Sequence, residues 1–176
     1  MDATPGSPTG DSFCSVVDAD AYHVTHVAAE TWSNYSTDEK ERALIQATRQ
    51  LSAYVTWYGY ATVPGTQVLP WPRIGLVDPG TLAVVSNSIY PDRLKWATAE
   101  QARLILGRDR SLETSQGQDG IRKLVAGSVE LEFADPTTAG GVLQAIAPSA
   151  WQFVSTWGEM AQAGVGGATR LRRSIG

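Results

Sequence analysis

Between Ser36 and Gly59 the residues Leu44, Thr48, Leu51, Val55 and Tyr58 recur at helical intervals, with Gln and Arg set between them. The pattern predicts one long amphipathic helix. It opens on a capping-box spacing, Ser36 with Glu39, and stops at Gly59, since glycine suits the position just past a helix end. An earlier helix is expected over residues 19–32, with Asp18 as N-cap and Val17 and Tyr22 in the staple arrangement. Pro91 suits the first turn of a third helix, where Leu94, Ala97, Gln101, Leu104 and Ile105 share one side until Gly107. The period then changes from 3.6 to 2. Residues 121–126 and 129–133 alternate around Gly127-Ser128, a pair fitted to a type II′ turn because glycine accepts positive φ there. That register sets Leu124 opposite Leu131 and Ala126 opposite Val129 on a buried face, and Lys123 opposite Glu132 on the wet face. A last helical piece follows Pro148, with Trp151, Val154 and Trp157 packing inward before Gly158.

Between Gly59 and Pro91 the chain carries Pro64, Gly65, Pro70, Pro72, Gly75, Pro79 and Gly80. Long irregular connections of this kind inside a domain are usually functional or tied to a partner. Pro70 and Pro72 push Leu69 and Trp71 toward extended geometry, which makes a stiff segment that presents Trp71 beside Arg73. The fold class that results is mainly α: a small helical bundle with one protruding antiparallel β-hairpin and a long Pro/Gly-rich loop. With 176 residues, 43% hydrophobic content and six tryptophans, the chain can bury one core. Residues 13–158 are expected as the domain, 1–12 as a flexible leader, and 159–176 as a tail. That tail is glycine-rich and then basic (Arg170, Arg172, Arg173), too polar to order except on a partner.

The net charge of −4 and pI near 5.1 argue against a protein that grips nucleic acid across a broad basic face. Cys14 is the only cysteine, so no intrachain disulfide or cysteine-rich zinc site can form, and a reducing compartment fits. The first residues lack the basic start and apolar run of a secretory signal, and no run of about 18 apolar residues exists to span a membrane.

Candidate chemistry is sparse. His23, His26 and Glu30 sit at helical spacing and could offer a metal two imidazoles and a carboxylate, but no further cysteine or histidine completes the shell. No metal or other cofactor is expected. There is no Gly-x-Ser-x-Gly nucleophile motif, and no enzymatic activity is expected. The run Gly164 to Thr169 has the glycines of a phosphate-binding loop without its lysine, and is better read as a tether. Arg170, Arg172 and Arg173 suit a solvated tail or an anchor on an acidic protein surface more than a nucleic-acid contact. Trp57, Trp71 and Arg73 together suggest a stacking platform for single-stranded DNA. Tryptophan more often serves a core, and neighbouring Lys and Arg are few, so the core is the weightier expectation.

Several elements in order carry a resemblance over residues 13–158: the Asp18-Ala19-Asp20-Ala21-Tyr22 opening, Ala47-Thr48-Arg49, Trp57-x-Gly59, Leu69-Pro70-Trp71-Pro72-Arg73-x-Gly75, Ile89-x-Pro91 and the amphipathic hairpin. In these the chain resembles head-to-tail connector (adaptor) proteins of tailed bacteriophages, some of which carry the label DnaT-like single-stranded-DNA-binding protein. The resemblance implies a structural virion protein, a helical bundle with a protruding hairpin. It would assemble with itself into a ring of about twelve copies under the portal, joined by heterologous contacts. The ring would extend the DNA channel, pass double-stranded DNA without sequence-specific contacts, and meet the portal protein and a tail-terminator or tail-completion protein. Its place would be the head–tail interface of the virion, after assembly in the host cytoplasm. Trp71, Arg73, Lys123, Glu132, Arg170, Arg172 and Arg173 are the residues expected to touch partners or neighbouring copies. The alternative is a single-stranded-DNA-binding protein of replication type.

Overall fold

The helix predicted most firmly forms as α3, Thr37–Tyr54, and its start is the capping box: the Ser36 hydroxyl accepts from the Glu39 N–H while the Glu39 carboxylate accepts from the Ser36 N–H at 2.9 Å. The structure, a computed structural model, describes residues 1–27, 29–107, 123–126, 129–132 and 145–161. Leu44, Ala47, Thr48 and Leu51 form the buried face of α3. The helix ends at Tyr54 and not at Gly59. Val55, Thr56 and Trp57 are β-branched or aromatic, types that fit a pleated half-buried surface, and a partner strand is available. They form β1, Val55–Trp57, paired antiparallel with β6, Gly158–Met160, in the register Val55↔Met160, Thr56↔Glu159, Trp57↔Gly158. The inward period changes from 3.6 to 2 at that junction, so Val55 and Trp57 are buried while Thr56 is exposed.

The expected first helix is two shorter ones, α1, Val16–His23, and α2, Ala29–Ser33. Ser15 and not Asp18 is the N-cap of α1. Its hydroxyl accepts from the Asp18 N–H at 3.1 Å and bonds the Asp18 carboxylate at 2.7 Å, so Asp18 takes the third helical position. Val17 is 78% exposed and forms no staple. The break after His23 falls on Val24, Thr25 and Val27, branched residues that lose χ1 freedom in a helix.

Helix α4, Asp92–Gly107, begins directly after Pro91 and buries Leu94, Ala97 and Gln101 as the spacing requires. Gln101 links three elements: its Nε2 donates to Gln50 Oε1 at 2.6 Å and to the Ala145 carbonyl at 2.9 Å, and its Oε1 accepts from the Ala147 N–H at 2.9 Å. Those bonds seat α5, Pro148–Val154, which packs on α4 with Ala150 and Val154 buried. Trp157 follows, also buried, before β6.

The Pro/Gly-rich loop carries structure of its own. Within it β2, Tyr60–Ala61, pairs with β3, Arg73–Ile74, and a single bridge joins Val77 to Val84. Further on, β4, Lys123–Ala126, pairs with β5, Val129–Glu132, in the predicted register, Lys123↔Glu132, Leu124↔Leu131 and Ala126↔Val129. Gly127-Ser128 lies outside the described residues. The fold is therefore mainly helical, but the described residues hold three two-stranded antiparallel pairs where one hairpin was expected.

Residues 1–12, expected as a leader, carry a hydrogen-bond network of their own. Asp2 accepts from the Thr4 N–H, the Ser7 hydroxyl and the Thr9 hydroxyl, and the Asp11 carboxylate accepts from the Asp2 N–H at 2.7 Å. Tyr90 donates to the Thr4 carbonyl, and Ser12 is fully buried. Of the expected tail, residues 159 and 160 belong to β6, and 162–176 lie outside the described residues. Among the described residues no helix is long and apolar enough to cross a membrane.

Candidate nucleic-acid interface

Trp71 does not present itself to a ligand. It is 0% exposed and lies between two other indoles, edge-on to Trp57 with ring centroids 5.5 Å apart and tilted on Trp157 at 5.4 Å. Truncating a tryptophan buried this way costs roughly 3–5 kcal/mol of fold stability. A stacked base contributes about 1–3 kcal/mol. The core expectation therefore holds for Trp57 and Trp71, and neither supplies a stacking face.

Arg73 is the positioning residue of this region. Its Nε donates to the Tyr58 carbonyl at 2.5 Å, Nη1 to Pro70 at 2.8 Å, and Nη2 to Gly59 at 2.6 Å and Trp57 at 3.3 Å. Burial draws its pKa down from the ordinary arginine value, yet four carbonyl oxygens satisfy the fork of the charged guanidinium. The cation is thus occupied with backbone and defines the bend after β1. Gly59 completes the bend with φ of +68°, and a Cβ there would lie 2.3 Å from the Ile74 carbonyl oxygen, so only glycine fits. Across it Tyr60 pairs with Ile74 and Ala61 with Arg73.

This scaffold turns two tyrosines outward. Along Trp57-Tyr58-Gly59-Tyr60 the first ring enters the core, while Tyr58 is 46% and Tyr60 75% exposed. The Tyr58 N–H donates to the Trp157 carbonyl at 2.9 Å, which ties the bend to the segment before β6. Tyr54, Val63 and Ile74 are exposed as well, and Ile74 is the register partner of Tyr60. From Arg42 to Val77 the chain contains no Asp or Glu, although the whole chain carries 18 of them. Arg42 and Arg49 are exposed and, seven residues apart, lie on one face of α3. The carboxylate that the strand register brings toward this surface is Glu159, exposed and opposite Thr56. Glu39 interacts with Arg42 at the start of the helix, so the carboxylate-free stretch begins beyond it. Exposed aromatic rings can hold bases and exposed arginines phosphates, which are the two elements of single-stranded nucleic-acid binding.

Of the other residues singled out from sequence, several lie outside the described residues. Lys123 and Glu132 are register partners across the β4–β5 ladder. Arg170, Arg172 and Arg173, with the Gly164 to Thr169 run, lie outside the described residues. His23 turns inward, with its Nε2 3.1 Å from the Ala99 carbonyl oxygen and its ring 4.5 Å from Trp32, and burial pulls its pKa down to about 4. His26 lies 3.8 Å from the buried carboxylate of Glu100, whereas Glu30 is exposed. Among the described residues no group of three His, Cys, Asp or Glu side chains is placed to hold a metal ion.

Tyr58, Tyr60, Arg42 and Arg49 were not singled out from sequence as contact residues. The available signal was the carboxylate-free run, hidden by a net charge that averages over the whole chain. No curated protein and no solved structure matches the chain. A family model does match, over residues 2–173, and its description names putative single-stranded-DNA binding. That finding overturns the main expectation of a bacteriophage virion connector with its oligomeric ring, portal attachment and DNA channel, and favours the alternative. The shared sequence elements were traced to the right family but given the wrong role. The chain belongs to the family described as "Putative DnaT-like ssDNA binding protein".

Proposed function

We propose that this protein binds single-stranded DNA of any sequence in a replication-type role, with Tyr58 and Tyr60 stacking on bases and the arginine face of α3 drawing the phosphates. The family match supports the ligand class, and the exposed tyrosine pair on a carboxylate-free bend is the observation that carries the site. Every base has a π-face, so stacking gives affinity without a sequence code. The function assigned is binding, with no reaction.

The test is anisotropy of a labelled oligo(dT) titrated with the full chain at several salt concentrations. Replacing both Tyr58 and Tyr60 by Ala should weaken binding by roughly 5- to 100-fold, with folding retained because both rings are exposed. Affinity should fall with salt, with a log–log slope of about −0.7 per phosphate contacted. Glu159→Gln should tighten binding by removing a like charge beside the phosphate path. Unchanged affinity in the double variant would place the ligand elsewhere, and no binding at low salt would end the proposal.

A further inference from the structure

On a different face, α1, α4 and α5 enclose a cleft of about 500 Å³ walled by Tyr22, Trp96 and Phe153. Trp96 is 40% exposed and stacks on Tyr22, with centroids 6.3 Å apart and planes at 26°, while Phe153 meets Trp96 edge-on at 5.9 Å. The polar rim decides what this aromatic wall can hold. Lys95 is the cation that lines it, and its ammonium is already 3.2 Å from Asp18. Asp92 stands four residues before Trp96, so both lie on one side of α4, and its exposed carboxylate has no ion pair among the described residues. Asp18 and Asp92 against Lys95 leave the rim with an excess negative charge. Such a rim repels phosphate and attracts a cation.

We propose that this cleft receives an arginine side chain from a basic peptide segment of a protein partner, with the guanidinium lying on the open face of Trp96 and its N–H fork directed at Asp92. A planar guanidinium stacks on indole and bonds a carboxylate in two directions at once, which the compact ammonium of lysine cannot do. The cleft is also wider than one side chain, so neighbouring residues of the peptide would rest on Tyr22 and Phe153. Charge complementarity selects this occupant over a nucleobase, whose phosphates would meet Asp18 and Asp92. The proposal goes beyond DNA binding and stands without it.

The experiment titrates full-length protein into a labelled, acetylated peptide with two arginines spaced by glycine, alongside the same peptide with lysine or with uncharged citrulline. The arginine peptide should bind, the lysine peptide severalfold more weakly, and the citrulline peptide at least about 10-fold more weakly. Asp92→Asn should weaken arginine-peptide binding about 5- to 10-fold, and Trp96→Ala by at least as much, while oligo(dT) affinity stays unchanged in Asp92→Asn. Asp92 is exposed, so its variant keeps the test valid should Trp96→Ala unfold. Equal binding of the citrulline peptide, indifference to Asp92→Asn, or displacement of the arginine peptide by oligo(dT) would each overturn the proposal.

Discussion

Replacing Arg73 tests whether one side chain holds the bend that displays Tyr58 and Tyr60. Arg73→Met keeps most of the aliphatic length and removes four donors from the carbonyls of Trp57, Tyr58, Gly59 and Pro70. A hydrogen bond to a charged group contributes about 1.5–3 kcal/mol net. The four act as a unit and do not sum, and the half-buried site lets water reach part of the vacated backbone, so the expected loss is about 2–4 kcal/mol. For a chain of this size that corresponds to a fall in Tm of roughly 5–15 °C. Arg73→Lys should recover less than half, because an ammonium is a single point while these carbonyls converge on a planar fork. Urea unfolding of the three proteins measures the difference, provided the slopes agree. A Met variant within about 0.5 kcal/mol of the parent, or a Lys variant matching it, would refute the view that guanidinium geometry fixes the bend.

The two glycines of this region should separate steric crowding from backbone conformation. Gly59→Ala meets both a φ of +68° and a 2.3 Å approach to the Ile74 carbonyl, and should cost more than about 2 kcal/mol in urea unfolding, whereas Gly75→Ala at φ +81° points into open space and should cost only about 1 kcal/mol. Equal losses would contradict that separation. His23 predicts a pH dependence: its folded pKa of about 4 lies below the ordinary 6.5, so the unfolded state binds the proton more readily and stability falls as pH drops through that interval. The full loss is about 3 kcal/mol. Comparison with His23→Gln should show a difference that shrinks from pH 6.5 to pH 4, and a pH-independent difference would count against it.

Helices α3 and α4 were legible because their apolar spacing, capping box and terminal proline agree with one another, and the β4–β5 register followed from alternation about the Gly127-Ser128 turn pair. The end of α3 was not legible. Val55 and Tyr58 fit a helical repeat as well as a strand, and the residues that decide between them, Gly158 to Met160, lie about a hundred positions away. The N-cap of α1 was misplaced for a local reason: Ser15 and Asp18 are both good caps, and three residues apart they bond one another. Trp71 and Arg73 were marked as contact residues, but burial of the one and the carbonyl partners of the other make them scaffold, and the exposed tyrosines next to them were not singled out. Whole-chain charge misled most, since an acidic average conceals a carboxylate-free stretch.

The β1–β6 pairing has a consequence for when this protein can act during its synthesis. Tyr58 emerges from the ribosome early, but the carbonyl of Trp157 and the strand that brace its bend come about a hundred residues later. A nascent chain would display the tyrosines on an unbraced loop, and a polypeptide cut before Gly158 would never finish the bend that carries them.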